Sequence, residues 1–131
     1  MKVLKFGGTS VGTADAMIRT SEIVLMSQSG SSVVVLSALR GITDKLIDLA
    51  KLTSRGSSNE ARTVLESIQN RHYGIINQLF EDNSDVSNEV NKLFADLENQ
   101  LLGISYLREL TPKMIDKILS YGELLSSTIF Y

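Results

Sequence analysis

The sequence predicts an α/β fold with parallel strands and a helical excursion. Two short apolar segments, residues 2–6 and 32–37, have strand composition, and residues 14–29 between them carry apolar side chains at helical spacing. A strand, a helix and a strand in this order form a unit whose strands are parallel and joined by a right-handed crossover. With 131 residues, 43% of them hydrophobic, the chain is long enough for one compact domain with a core.

The composition argues against several classes of function. A net charge of −2 with scattered lysines and arginines gives no basic surface for a nucleic acid. No apolar run approaches the roughly 20 residues of a membrane-spanning helix, and the first residues lack the pattern of a signal peptide. The sequence has no cysteine, which removes disulfides, thiolate metal sites and thiol nucleophiles. We therefore expect a cytoplasmic protein with neither a membrane nor a nucleic-acid partner.

Local signals define the ends of the first elements. Thr13 is suited to cap the first helix, and Gly30 is expected to end it after residue 29. The β-branched run Val33-Val-Val-Leu36 is typical of a strand buried on both faces.

The second half of the chain is predicted to be helical. Residues 59–80 and 86–102 form an antiparallel helix pair, separated by the acidic turn 81–85, which lacks the ligand pattern of a calcium loop. Thr111 and Pro112 are an Ncap–N1 pair for a last helix. That helix has no C-cap glycine and its apolar face continues to Tyr131, so we expect a truncated domain.

The segment after the first strand is the strongest candidate site. Gly7, Gly8, Thr9 and Ser10 form a loop whose backbone N–H groups can approach a phosphate closely, because the two glycines carry no side chain. Lys5 lies on the strand face opposite to Leu4 and Phe6, near the edge where α/β sheets bind ligands. The alternative is an ordinary strand-to-helix turn with a solvated lysine.

A second candidate site follows the second strand. Thr43 and Asp44 offer N-cap chemistry for a helix that Gly56 should stop. Ser37, Thr43 and the free N–H groups behind Thr43 suit a small carboxylate, since a helix N-terminus favours negative charge. Taken alone, this pattern is more often plain helix capping.

Ser120-Tyr-Gly-Glu123 in the last helix is the third candidate cluster. Gly122 interrupts the last helix at a cost of roughly 1 kcal/mol against alanine, which suggests close approach by another group. Its neighbour Glu123 could hold a ligand ammonium, although an exposed helix carboxylate is the simpler interpretation. The single histidine, His72, has no partner for a metal site or a nucleophilic dyad and is interpreted as a structural or surface residue. No metal-ligating residue is predicted.

Three segments, in this order, resemble the N-terminal part of aspartate kinases. They are Lys5-Phe-Gly-Gly-Thr-Ser-Val-Gly12, the stretch Leu36-Ser-Ala-x-x-Gly-x-Thr-Asp44, and Glu109-Leu-Thr-Pro followed by Ser120-Tyr-Gly-Glu-Leu-Leu-Ser126. The resemblance spans nearly the whole chain, and the first segment is specific within the amino-acid kinase superfamily. Residues 102–112 are also similar to the kinase part of bifunctional aspartokinase–homoserine dehydrogenases.

The resemblance implies a fold, an activity and site residues. Residues 1–131 would be the N-terminal part of an amino-acid-kinase-like αβα sandwich that uses ATP and Mg²⁺ to phosphorylate the β-carboxylate of L-aspartate. The full-length protein is expected to be a homo-oligomer. Lys5 would be catalytic and would bind the phosphoryl group together with the loop that follows it, and three residues would bind aspartate. The phosphate-binding residues are Lys5, Phe6, Gly7, Gly8, Thr9 and Ser10, and the aspartate-binding residues are Ser37, Thr43 and Glu123.

Elementary chemistry is compatible with this assignment. The β-carboxylate of aspartate has a reference pKa near 3.9, so it is ionised at neutral pH and needs no general base. In the family, the site for the nucleotide base follows the part that this chain resembles, so the isolated chain is expected to have negligible kinase activity. Two alternatives remain open: another carboxylate kinase of the superfamily, and a non-catalytic helical interaction module built on residues 59–102.

Overall fold

The computed structural model describes residues 1–27 and 30–131 and has two strands and five helices. The elements are β1 (Lys2–Phe6), α1 (Ala14–Met26), β2 (Ser32–Leu36), α2 (Ile42–Arg55), α3 (Ser58–Leu79), α4 (Ser84–Leu107) and α5 (Pro112–Phe130). The two strands are parallel, with Lys2 opposite Ser32 and Phe6 opposite Leu36. The predicted α/β class with parallel strands and a helical excursion is confirmed.

The core lies between one face of the sheet and the helices. Phe6, Val34 and Leu36 face it from the strands. Large side chains from all four later helices are completely enclosed within it, namely Leu46, Leu49, Ile68, Ile76, Leu97, Ile118 and Leu125. The helical excursion therefore shares one core with the elements that follow the sheet.

The prediction that β2 is buried on both faces was wrong. Val33 and Val35 are 45% and 43% exposed, and Val3 on the neighbouring strand is 64% exposed. The described helices cover only the face that carries Val34 and Leu36, because side chains alternate between the two faces of a strand. The apolar run correctly predicted a strand. It could not show which face of that strand the other described residues cover.

The predicted start of α1, end of α2 and start of α5 agree with the structure, whereas the end of α1 differs. Thr13 caps α1 as expected, since its Oγ1 accepts a hydrogen bond from the Ala16 N–H at 3.1 Å. The helix ends at Met26, before the predicted end at residue 29, which lies outside the described residues. Gly56 ends α2 with a positive φ of 80°, and Thr111 caps α5 at Met114 at 3.2 Å, both as predicted.

The N-cap assigned to Thr43 and Asp44 was wrong. The residue before α2 is Gly41, with φ 84°, and no side chain caps this helix. A backbone turn starts the helix instead, because the Ile42 N–H donates to the Leu39 carbonyl at 3.0 Å. Thr43 and Asp44 consequently lie inside the first turn.

The antiparallel pair α3 and α4 is confirmed. Gln69 contacts Glu98, whereas Tyr73, further along α3, hydrogen bonds to Asn91, which comes earlier in α4. Helix α4 continues past the predicted end at residue 102 to Leu107, because Gly103 lies within the helix and Ile104 is buried in the core. Arg108, with a φ of 54°, ends it.

His72 is a structural residue, as the sequence suggested. Its ring is completely buried on α3, lies edge-on to Phe94, and has Nδ1 2.7 Å from the Ile68 carbonyl. That contact makes Nδ1 the protonated nitrogen, and Nε2 is buried with no partner among residues 1–27 and 30–131. Loss of hydration, together with the nearby charge of Arg71, lowers the pKa of His72 to about 4, although the bond to Ile68 opposes the shift.

Stability should therefore fall in mild acid. The unfolded chain protonates its histidine near pH 6.5 and the folded chain only near pH 4, so the unfolded state binds more protons between these values. We expect the free energy of unfolding to drop by about 2 kcal/mol from pH 7.5 to pH 5, as measured by urea denaturation. The variant His72→Leu should show a nearly flat profile over this range, and an equally steep profile in that variant would contradict the assignment.

Gly122 in α5 allows two elements to approach each other. A Cβ there would lie 2.7 Å from the Ala38 Cβ and 3.4 Å from Leu46 Cδ1. Gly74 in α3 and Gly103 in α4 have no neighbouring atom within 4 Å of the same position. The close approach predicted from the mid-helix glycine is confirmed, with the loop after β2 as the neighbour.

Alanine should lower the stability of the protein at Gly122 and raise it at Gly74 and Gly103. Gly122→Ala overpacks the contact with Ala38, and we expect a loss of about 1–3 kcal/mol. Gly74→Ala and Gly103→Ala improve helix propensity without a clash, and each should gain about 0.5–1 kcal/mol. Chemical denaturation of the three variants measures this, and a stabilised Gly122→Ala would show that the contact is not tight.

Candidate active site

The loop after β1 contains two backbone hydrogen bonds of its own. The Ser10 N–H donates to the Gly7 carbonyl at 3.1 Å, and the Gly12 N–H donates to the Thr9 carbonyl at 3.4 Å. Val11 is completely buried and anchors the loop in the core. These contacts tie the loop to itself and to the core.

The loops after β1 and β2 are in direct contact. The Ser37 N–H donates to the Phe6 carbonyl at 3.1 Å, and the Arg40 N–H donates to the Gly8 carbonyl at 3.2 Å. A Cβ at Gly8 would lie only 2.8 Å from the Ala38 carbonyl oxygen, so this approach requires glycine. A Cβ at Gly7 would meet nothing within 4 Å, which means that Gly7 faces open space.

The first loop presents donors rather than acceptors to that space. Its carbonyl oxygens each accept a hydrogen bond from the protein, at Gly7, Gly8, Thr9, Ser10 and Gly12. By contrast, the backbone N–H groups of Gly7, Gly8 and Thr9 have no acceptor among residues 1–27 and 30–131. Unpaired N–H groups next to open space favour an anion.

The start of α2 supplies further donors beside this loop. With Gly41 as the N-cap, the free N–H groups expected behind Thr43 are those of Thr43 and Asp44 themselves. They lie at the positive end of a helix of 14 residues, and both side chains are exposed. Ser37 is half-buried between the loops, and its hydroxyl donates to the Ala38 carbonyl at 3.1 Å.

Helix α5 packs against the second loop next to Glu123. Gly122 contacts Ala38, and Ser126, one turn further along, is buried and donates its hydroxyl to the Ser37 carbonyl at 2.6 Å. Glu123 lies between these two contacts on the helix, and its side chain is exposed. The third predicted segment thus packs against the second.

Lys5 lies where its position in the strand predicts. Its side chain is exposed, on the face opposite to Leu4 and Phe6, next to Val35 of the neighbouring strand. Phe6 packs its ring against the core, so any contact of Phe6 with a phosphate would come from its backbone.

Sequence reasoning missed two residues that hold the first loop. Thr20 on α1 is buried and donates its hydroxyl to the Ser10 carbonyl at 2.7 Å. Arg71 on α3 hydrogen bonds to the Gly12 carbonyl at 3.0 Å and to the Arg40 carbonyl. No periodic pattern could reveal Arg71, because its partners are 59 and 31 residues away in the sequence.

Among the described residues, no metal site, other groove or membrane-spanning helix adds to the candidate site. No group of three histidine or acidic side chains in residues 1–27 and 30–131 is arranged to hold a metal ion. A groove of about 500 Å³ between α2, α3 and α4 contains none of the predicted site residues. None of the described helices combines the length and apolarity that crossing a membrane requires.

Comparisons with known proteins indicate one family. The model of the amino acid kinase family matches residues 1–130. Lysine-sensitive aspartokinase 3 of Escherichia coli is 36% identical over 128 residues, which are 98% of this chain and 27% of that protein. The chloroplastic bifunctional aspartokinase/homoserine dehydrogenase 1 of Zea mays is 32% identical over 129 residues, covering 95% of this chain and 14% of that protein.

A solved structure shows the same arrangement of elements. The crystal structure of E. coli aspartokinase III in complex with aspartate and ADP superposes with a TM-score of 0.84 at 32% identity. The match covers 99% of this chain and 28% of that one, so the chain spans less than a third of the length of these relatives. The resemblance inferred from the three segments is confirmed, and the chain belongs to the amino acid kinase family.

Proposed function

We propose that this chain supplies the phosphoryl-binding and aspartate-binding part of an ATP-dependent kinase that converts L-aspartate to 4-phospho-L-aspartate. One observation carries the proposal: two strand-to-helix loops meet at one end of the parallel sheet, and free N–H groups follow directly after the strand that carries Lys5. The similarity to a structure with bound aspartate and ADP supports this choice of ligands.

The first loop is assigned to the transferring phosphoryl group. The N–H groups of Gly7, Gly8 and Thr9 would bind its oxygens, and the ammonium of Lys5 would neutralise the charge that they carry. Thr9 and Ser10 would line the loop. Phosphoryl transfer depends mainly on positioning and positive charge, which these groups provide.

The second loop and α5 are assigned to aspartate. Ser37 and the start of α2 at Thr43 would bind a carboxylate of the substrate, and Glu123 would bind its α-ammonium. Gly122 and Ser126 support this assignment, because their contacts with Ala38 and Ser37 hold α5 against the loop.

No general base is assigned. The substrate β-carboxylate is ionised at neutral pH, so one of its oxygens can attack the γ-phosphorus directly while the bond to the bridging oxygen breaks and ADP leaves. The only histidine, His72, is buried in the core and takes no part in the reaction.

The remaining parts of the proposal concern Mg²⁺, location and assembly. Mg²⁺ is usually bound by one or two carboxylates together with substrate phosphates, and no described residue is assigned to it. We propose it as a companion of ATP. A cytoplasmic location and a homo-oligomeric state of the full-length protein complete the proposal.

Replacing Lys5 tests the assignment of the phosphoryl site. In the intact gene product, with MgATP and L-aspartate, we expect Lys5→Ala to lower kcat about 100-fold or more, because a cation at the transferring group is lost. The thermal midpoint should not change, since the side chain is exposed. Trapping 4-phospho-L-aspartate as a hydroxamate measures the rate.

Lys2→Ala is the matched control, because Lys2 is an exposed lysine at the other end of β1. It should leave kcat unchanged. An inactive wild type would contradict the proposed kinase and favour the non-catalytic helical module, whereas full activity of Lys5→Ala would remove Lys5 from the phosphoryl site.

The two loop glycines should respond differently to alanine. Neither has a positive φ, so any effect comes from the added Cβ. Gly8→Ala collides with the Ala38 carbonyl and should cost about 1–3 kcal/mol of stability. Gly7→Ala points into open space and should change stability by less than about 0.5 kcal/mol, yet raise the KM for ATP. Denaturation and steady-state kinetics separate the two, and an unchanged KM in Gly7→Ala would place the phosphate elsewhere.

A further inference from the structure

Arg71 connects the helical excursion to both candidate loops. From α3, its Nη2 donates to the Gly12 carbonyl at 3.0 Å, and its Nη1 donates to the Arg40 carbonyl. Gly12 lies at the end of the first loop, just before α1, and Arg40 lies at the end of the second loop, just before α2. One side chain thus fixes the distance between the two loops at the points where they enter their helices.

The guanidinium group is suited to this task. It is planar and rigid and carries five N–H donors, so it can serve two acceptors that lie side by side, which a lysine ammonium cannot match. Partial burial lowers the pKa of Arg71 from its ordinary value, but an arginine stays charged at any physiological pH. Hydrogen bonds from a charged donor are stronger than neutral ones.

Two glycines lie beside the guanidinium group of Arg71. A Cβ at Gly12 would lie 3.7 Å from Nη2, and a Cβ at Gly41 would lie 3.7 Å from Nη1. Within the part of the chain that the structure describes, no carboxylate lies within ion-pairing distance of Arg71. The guanidinium of Arg71 therefore donates to two backbone carbonyls and forms no salt bridge among the described residues.

We propose that Arg71 is a positioning residue, which holds the phosphoryl-binding and aspartate-binding loops at the separation that the reaction needs. This inference rests on the proposed function for its catalytic consequence. The structural part stands on the two hydrogen bonds alone.

The test compares Arg71→Ala and Arg71→Lys with Arg62→Ala. Arg62 is an exposed arginine on the same helix and is the matched control. The first measurement is amide hydrogen exchange of Arg40 in this chain, because its N–H bonds to the Gly8 carbonyl across the two loops at 3.2 Å. The second is kcat and KM for aspartate and ATP in the intact gene product.

We expect Arg71→Ala to speed exchange at the Arg40 amide about tenfold and to raise both KM values by a similar factor, since two charge-assisted hydrogen bonds are lost. Arg71→Lys keeps the charge and the aliphatic stem but can reach only one carbonyl, so it should recover part of each effect. It also replaces Arg71→Ala if that variant does not fold. Arg62→Ala should match the wild type in both measurements.

The proposed kinase function and the positioning role of Arg71 are tested by different outcomes. Unchanged exchange at Arg40 in both Arg71 variants would overturn the inference whatever the kinetics show. Faster exchange with unchanged kinetics in an active enzyme would also overturn it, because Arg71 would then hold the loops without affecting the reaction. If the wild type does not phosphorylate aspartate, the proposed function fails and the catalytic consequence fails with it, while the exchange of Arg40 still decides whether Arg71 holds the loops.

Discussion

The arrangement of the site depends on backbone approach at two positions that lack a Cβ atom. The segment after β2 lies between the first loop and α5, with Gly8 against the Ala38 carbonyl and Gly122 against the Ala38 side chain. A single methyl group at either glycine would collide with Ala38 and force the two elements apart. Because the loops and α5 are positioned through Ala38, the relative placement of Lys5, Thr43 and Glu123 depends on these two glycines as well.

Polar contacts over long sequence distances then give the site its electrostatic character. Thr20, Arg71 and Ser126 come from three different helices, and each donates to a loop carbonyl. Their donors satisfy loop acceptors, whereas N–H groups of the same loops have no acceptor among the residues that the structure describes. The result is a surface on which the backbone itself favours negative charge, which is the property that a phosphoryl group and a carboxylate both require.

Local chemistry made much of this predictable, and long-range packing explains what was missed. Thr13, Gly56 and Thr111 act through neighbours a few residues away, so their capping roles were visible in the sequence. The mid-helix glycine correctly indicated a close neighbour, but only the fold identifies that neighbour as Ala38. The start of α2 was misplaced because Gly41 and a backbone turn replaced the expected side-chain cap. The exposure of Val33 and Val35 likewise depends on which elements cover the sheet.

The sheet of the described residues has only two strands, so each strand has one edge without a hydrogen-bonded neighbour. Such edges carry rows of unpaired backbone groups that can accept another strand in register. Here they flank a face with exposed valines at positions 3, 33 and 35, which strengthens the tendency to associate. The 131-residue polypeptide should therefore be handled at low concentration, because strand pairing between molecules competes with the monomer as concentration rises.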